Sequence, residues 1–219
     1  MGKQVRRLPD DRFKKKRQPF QKPGTFRLFI AIFPPDEYRE YFRNVLRQLD
    51  KQKRNLKPAS LDQLHITVKF IGPEVTAASK DALIQRLTSL QGQFPKPVIK
   101  IKPVQFGFPD QLDPVHILSE IEDSTEILYI ANMIHTLLKE MGLQDTVRWK
   151  VKHADSFHIT MARIKPHAPK SLIRDVAEAI KQIDLPAPKE FVPEYLEVME
   201  SQTKLGGAPT YRKLAKIKL

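Results

Sequence analysis

His65-Ile66-Thr67-Val68 and His158-Ile159-Thr160-Met161 are near-copies of one tetrapeptide, set in the apolar frames Leu64-His65-Ile66-Thr67-Val68-Lys69-Phe70 and Phe157-His158-Ile159-Thr160-Met161-Ala162-Arg163. On a β-strand, side chains two apart point to the same face. Each copy therefore offers one imidazole and one hydroxyl to a common face. Six histidines and ten threonines in 219 residues give only ~0.3 His-x-Thr triplets by composition. Two unrelated amphipathic strands, each with a half-buried histidine, would be the plain alternative, and the matched frames weigh against it.

The pattern around the two strings is regular. Phe26 to Phe33 is rich in β-formers and stops at Pro34-Pro35, which predicts a strand. Tyr38, Tyr41, Phe42, Val45, Leu46 and Leu49 then recur at helical spacing, giving a helix over 36–51. The first motif strand is expected over 63–71, closed by Gly72-Pro73. A helix over 77–91 and strands over 97–107 and 115–121 follow. A helix over 124–141 ends at Gly142. The second motif strand spans 156–164, then a helix 170–183 and strands 190–200 and 210–218, joined by Gly206-Gly207. Each half runs strand, helix, motif strand, helix, and the two histidines stand 93 residues apart. This predicts an α+β, internally duplicated, two-lobed fold. Two antiparallel-rich sheets would flank a central cleft, with the helices outside.

Residues 25–219 read as one such domain. Residues 1–24 read as a basic, disordered arm: nine cations against two acids, a surplus of +7 within a net charge of +13. That balance suits a polyanion such as RNA, although an idle solvated tail has the same composition. Hydrophobic content is an ordinary 41%, and the chain has no cysteine, so disulfides, thiolate metal sites and a Cys nucleophile are excluded. No stretch is long and apolar enough for a membrane span, and the N-terminus lacks the apolar core of a signal peptide. A cytoplasmic monomer is the expectation.

General acid–base catalysis near neutral pH favours imidazole. Hydrolysing a phosphodiester takes a base for water, an acid for the departing alkoxide, and donors for the non-bridging oxygens. Two imidazoles divide the first two tasks. Thr67, Thr160 and a nearby cation such as Arg163 serve the third. The residue types alone leave open which imidazole is the acid. A metal centre is the rival reading, but Asp62 and Asp155 stand three residues before the motif histidines, an offset that turns them to the opposite strand face. No His-x-x-x-His or acidic cluster accompanies them, so no metal and no cofactor are expected. His116, His135, His153 and His167 read as structural or exposed.

The paired strings resemble the signature of the two-histidine (2H) phosphoesterases. More closely, the chain is similar to the RNA 2′,3′-cyclic phosphodiesterase branch, also called 2′-5′ RNA ligase-like. Arg27-Leu28-Phe29-Ile30-Ala31-Ile32 resembles that family's opening strand, Leu64 to Gly72 and His158 to Arg163 its two active-site strands, and Glu200-Ser201, Gly206-Gly207 and Tyr211 onward its close. Two positions depart from it: Lys57-Pro58 stands where a Trp is common, and Phe157 where a Pro is common before the second histidine. The basic arm is an addition.

The resemblance implies that His65 is the proton donor, delivering a proton to the ribose 3′-oxygen. His158 is then the acceptor that activates water, and the product is a 2′-phosphomonoester. Thr67, Thr160 and Arg163 would hold the phosphate, with Phe70 and Tyr211 as weaker substrate contacts. The substrates would be RNA with 2′,3′-cyclic phosphate ends, or cyclic nucleotides. Reversible 2′-5′ ligation at the same site is a second expectation, and a non-catalytic RNA- or nucleotide-binding module a third.

Overall fold

In the computed structural model, Leu28, Ile30 and Ile32 are buried on one face of strand β1 (Thr25–Ile32), while Phe29 and Ala31 are buried on the other. The structure describes residues 22–107, 115–122, 124–143, 157–165, 168–203 and 209–219. The first of the two faces meets the helices. Tyr38, Phe42 and Val45 of α1 (Asp36–Gln48) join it, as do Leu83 and Leu87 of α2 (Ala77–Thr88). So do Ile127, Ile130, Ile134 and Leu138 of α3 (Thr125–Glu140) and Val176 and Ile180 of α4 (Lys170–Lys181). Each such side chain contributes about 1.5–3 kcal/mol when fully removed from water, and together they fix the helices to one side of the sheet.

Local chemistry sets the helix ends. Thr76 caps α2 by accepting from the Ser79 N–H, and Ser124 caps α3 by accepting from the Ile127 N–H. The chain leaves α3 at Gly142, whose φ of +69° suits glycine. There the Gly142 and Leu143 N–H groups close back on the carbonyls of Lys139 and Leu138, at 3.0 and 2.8 Å.

The remaining strands are β2 (Leu56–Pro58), β3 (Ile66–Thr76), β4 (Gln105–Phe106), β5 (His116–Glu120), β6 (His158–Ile164), β7 (Tyr195–Thr203) and β8 (Pro209–Lys218). All pairings are antiparallel, in the order β4-β5-β6-β3-β1-β7-β8, with β2 off this path and paired to residues 162–164 of β6. The order is matched on the two sides of the β6–β3 join as far as the flanking strands. β3 and β6, the motif strands, lie in the middle, and β1 and β5, the strands that open each half, flank them. The two expected sheets are thus the two halves of one eight-stranded sheet, joined among the described residues through the pair Ile66↔Ile159.

Several expected boundaries are corrected. The first motif strand begins at Ile66 because Leu61–Gln63 forms a 3-10 turn, and it runs through Gly72-Pro73 to Thr76. Pro73 is accommodated where the β1–β3 register slips between Phe26↔Val75 and Leu28↔Gly72, a site that needs no ladder donor. Over 97–107, only Gln105–Phe106 is strand, besides single bridges at Ile99 and Ile101. Pro97 and Pro103 carry no N–H to extend a ladder. The strand expected over 190–200 starts at Tyr195, after Pro193, and three helices stop two to three residues short of their expected ends. Gly206-Gly207 and residues 1–21 lie outside the described residues. Among those described, no helix is long and apolar enough to cross a membrane.

Candidate active site

Ile66 and Ile159 point into the core from the join. Their neighbours His65, Thr67, His158 and Thr160 therefore point to the opposite face, which carries no helix among the described residues. The antiparallel sense of the pairing brings Thr67 and His158 to one side of the join and His65 and Thr160 to the other. Each histidine thus faces the other motif's threonine, as the symmetry of the sheet order requires.

Matching bulges extend this face. In β3, Ile30↔Lys69 is followed by Ala31↔Thr67, so Val68 is an extra residue. In β6, Ile117↔Ala162 is followed by Leu118↔Thr160, so Met161 is extra. Strict alternation would put Phe70 and Arg163 opposite the threonines, three residues on. The extra residue reverses that, and Phe70 packs with Phe29 and Met199 on the cleft side. Arg163 takes the equivalent place in the second half and is exposed.

His65 sits in an aromatic box. Its ring centroid is 5.0 Å from Phe29, 5.8 Å from Phe33 and 5.1 Å from Tyr211. Its Nδ1 lies 2.7 Å from the Gln63 carbonyl, which can only accept, so Nδ1 carries a proton and Nε2 is left for chemistry. Burial holds the imidazole below its ordinary pKa. The Gln63 contact opposes this, and the charges of His158 and Arg163 add to it. Tyr211, a weaker expectation from sequence, thus touches the first histidine directly. Its phenol is raised by burial, against the lowering effect of Arg163 and Arg27.

Sequence reasoning did not single out Arg27. It lies on the cleft side of β1 with its guanidinium 4.6 Å from the Phe70 ring centroid, and partial burial lowers its pKa. The alternation Arg27, Phe29, Ala31, Phe33 was the available signal. His116, read as ordinary, pairs in register with Arg163. Burial, then the Arg163 and His158 charges, lower it to about 4. Glu120 pairs in register with His158 and is held by Lys102 at 3.2 Å. Asp62 is exposed and engages Ser60, while Asp155, His153 and His167 lie outside the described residues. His135 is on α3, part-buried. Among the described residues, no group of three or more His, Asp or Glu is placed to hold a metal ion.

A sheet face with two imidazoles, two hydroxyls and two guanidiniums can bind a phosphate and move protons on either side of it. Residues 32–113 match the family model described as LigT like Phosphoesterase, a span that holds the first motif and ends before the second. The protein TT0787 of Thermus thermophilus shares the fold with a TM-score of 0.65 and 24% identity, over 88% of this chain and 97% of its own. E. coli LigT in its apo form does so with a TM-score of 0.62 and 20% identity, over 89% and 97%. No curated protein matches the chain.

Proposed function

We propose that this chain, a member of the two-histidine phosphoesterase superfamily, opens RNA 2′,3′-cyclic phosphate ends to 2′-phosphomonoesters by acid–base catalysis without a metal. The observation that carries the reading is the crossed placement of the two His-Ile-Thr strings about Ile66↔Ile159. It gives one phosphate an imidazole and a hydroxyl on each side. That E. coli LigT, which shares this fold, has been crystallised in complex with 3′-AMP, with phosphate and with ATP supports nucleotide and phosphate ligands.

In this mechanism His158 takes a proton from water as its oxygen bonds to phosphorus. The bond from phosphorus to the 3′-oxygen breaks, and His65 delivers the proton that oxygen needs. Thr67, Thr160 and Arg163 hold the non-bridging oxygens, where charge grows. The lowered pKa of His65 leaves the free imidazole largely neutral at pH 7. An anionic phosphate in the cleft supplies the charge that restores its proton, so substrate binding and proton uptake are coupled. The basic arm adds RNA affinity. Ligation to a 2′,5′ bond is the same chemistry in the same direction, with a ribose 5′-hydroxyl in place of water and the 3′-oxygen again leaving.

Phosphorus NMR of a 2′,3′-cyclic nucleotide digest in excess chelator tests the reading. The expected product is the 2′-phosphate alone, with loss of turnover in His65→Ala and His158→Ala. A 3′-phosphate product would exchange the roles of the two histidines. Full activity in either variant, or dependence on a metal, would sink the mechanism.

A further inference from the structure

The face that carries His65 does not end at the aromatic box. At the end of β1 it opens into a cavity of about 340 Å³ whose lining includes Phe33, Phe191, Val192, Tyr195, Glu197 and Lys216. Phe33 is shared between the two places: the same ring lines the cavity and packs 5.8 Å from His65. The cavity floor belongs to the site's own sheet. Glu197 pairs in register with Ala31 on one side and Lys216 on the other. A register slip between Val198↔Ala215 and Met199↔Lys213 turns Lys213 and Lys216 to the same face. Glu197 is buried and holds Lys213 at 2.9 Å, with Lys216 more loosely at 3.8 Å. The Lys216 ammonium also lies 4.9 Å from the Tyr195 ring centroid.

The walls carry the rings of Phe33, Phe191 and Tyr195 with Glu194 among them, and the floor offers a carboxylate that accepts beside an ammonium that donates. A nucleobase has the matching form: two apolar faces and a polar edge that carries donors and acceptors. The volume is at the small end of ligand sites, which begin at roughly 300 Å³, and suits one base with part of its sugar. We propose that this cavity is a nucleobase subsite. A heterocycle stacks against its aromatic walls with its edge on the Glu197–Lys216 pair, while the cyclic phosphate of the same substrate sits at His65. The proposal rests on the cyclic phosphodiesterase reading and extends it to the nucleoside. The base is either that of the terminal nucleoside or that of its 5′ neighbour.

Rates on three substrates separate these cases: a nucleoside 2′,3′-cyclic phosphate, a dinucleotide ending in one, and base-free 1-O-methylribose 2′,3′-cyclic phosphate. Val192, 51% exposed at the cavity wall, is replaced in Val192→Trp to fill the space without disturbing the core. The wild type should prefer the nucleotide to the base-free compound by at least about 5-fold in kcat/KM, the lower end of what stacking one base contributes. Val192→Trp should bring that ratio toward one, and Lys216→Gln should reduce it in part. A ratio that falls only for the dinucleotide keeps the subsite and assigns it to the 5′ neighbour. A wild-type ratio near one for both base-bearing substrates, or ratios unmoved by Val192→Trp, would overturn the subsite.

If no cyclic phosphate is opened, the reaction itself is wrong. Calorimetry then decides the subsite separately. Adenosine 3′-monophosphate should bind more tightly than inorganic phosphate, and Val192→Trp should remove the difference; equal affinities would overturn the subsite.

Discussion

Phe70 and Arg163 occupy equivalent positions in the two halves: each stands five residues after its motif histidine, and each is turned to the cleft by a bulge at the residue after the threonine. Equivalent places carry different chemistry. In the second half the guanidinium is on the strand itself. In the first half the strand offers a ring, and the guanidinium of Arg27 lies over it at 4.6 Å. The cleft thus keeps one arginine per half by two routes.

Arg163→Gln should therefore lower kcat/KM on a 2′,3′-cyclic nucleotide by about 10²-fold, as loss of a charged donor to a developing oxyanion does. Arg163→Lys should recover only part, because an ammonium lacks the planar fork. Phe70→Leu should cost less than about 10-fold, since it removes a platform and leaves Arg27 in place. Steady-state kinetics decide this, and an effect under 3-fold in Arg163→Gln would remove that residue from the phosphate site.

The pH profile should report the His65 environment. Burial, with the His158 and Arg163 charges, puts its pKa below the ordinary 6.5. As proton donor, His65 must be charged in the free enzyme, so kcat/KM should decline as pH rises through that lowered value. The corresponding limb in kcat should lie at higher pH, because bound phosphate favours the imidazolium. Arg163→Gln removes one lowering charge and should move the kcat/KM limb upward. Rate profiles between pH 4 and 8 measure both shifts; an ascending limb assigned to His65 would make it the base.

His116 gives a stability prediction with a definite sign. Folded, it titrates at about 4, against 6.5 as its ordinary value. Between those values the unfolded chain binds a proton that the native state does not, so stability falls as pH drops from about 6.5 toward 4. The neutral imidazole sits in register with Arg163, where a second positive charge is unwelcome. Urea midpoints across that window should slope downward toward acid in the wild type and be flatter in His116→Gln. Parallel slopes would show that His116 keeps its proton chemistry unchanged on folding.

The duplication and both histidine pairs were legible because alternation at period two survives in His65-Ile66-Thr67 and His158-Ile159-Thr160. What alternation cannot show is a bulge. Val68 and Met161 look like ordinary strand residues, yet they decide which side Phe70 and Arg163 face. Tyr211 was within reach of sequence only through its family setting, since its contact with His65 comes from a strand beyond β1 and β7 in the sheet. Arg27 was missed for a related reason. It owes its place to a cross-strand partner, and pairing between distant segments leaves no local periodicity. The segment 97–107 misled because its valines and isoleucines read as strand while its prolines withhold the donors.

The arm offers a last test. Lys22 pairs with Glu74 at 2.8 Å, and its carbonyl accepts from the Thr25 N–H, so the chain is tied to the fold from there on. A deletion of residues 1–21 keeps that anchor and removes eight cations and two acids. If the arm binds RNA, oligonucleotide affinity should drop on deletion. The slope of log K against log salt should then shrink by about 0.7 for each single-strand phosphate that the arm had neutralised. Turnover of a cyclic mononucleotide should stay the same, because that substrate has no chain to reach the arm. Filter binding at four or five salt concentrations measures the slope, and identical slopes for the full and shortened chains would mean that the arm's charge does not touch RNA.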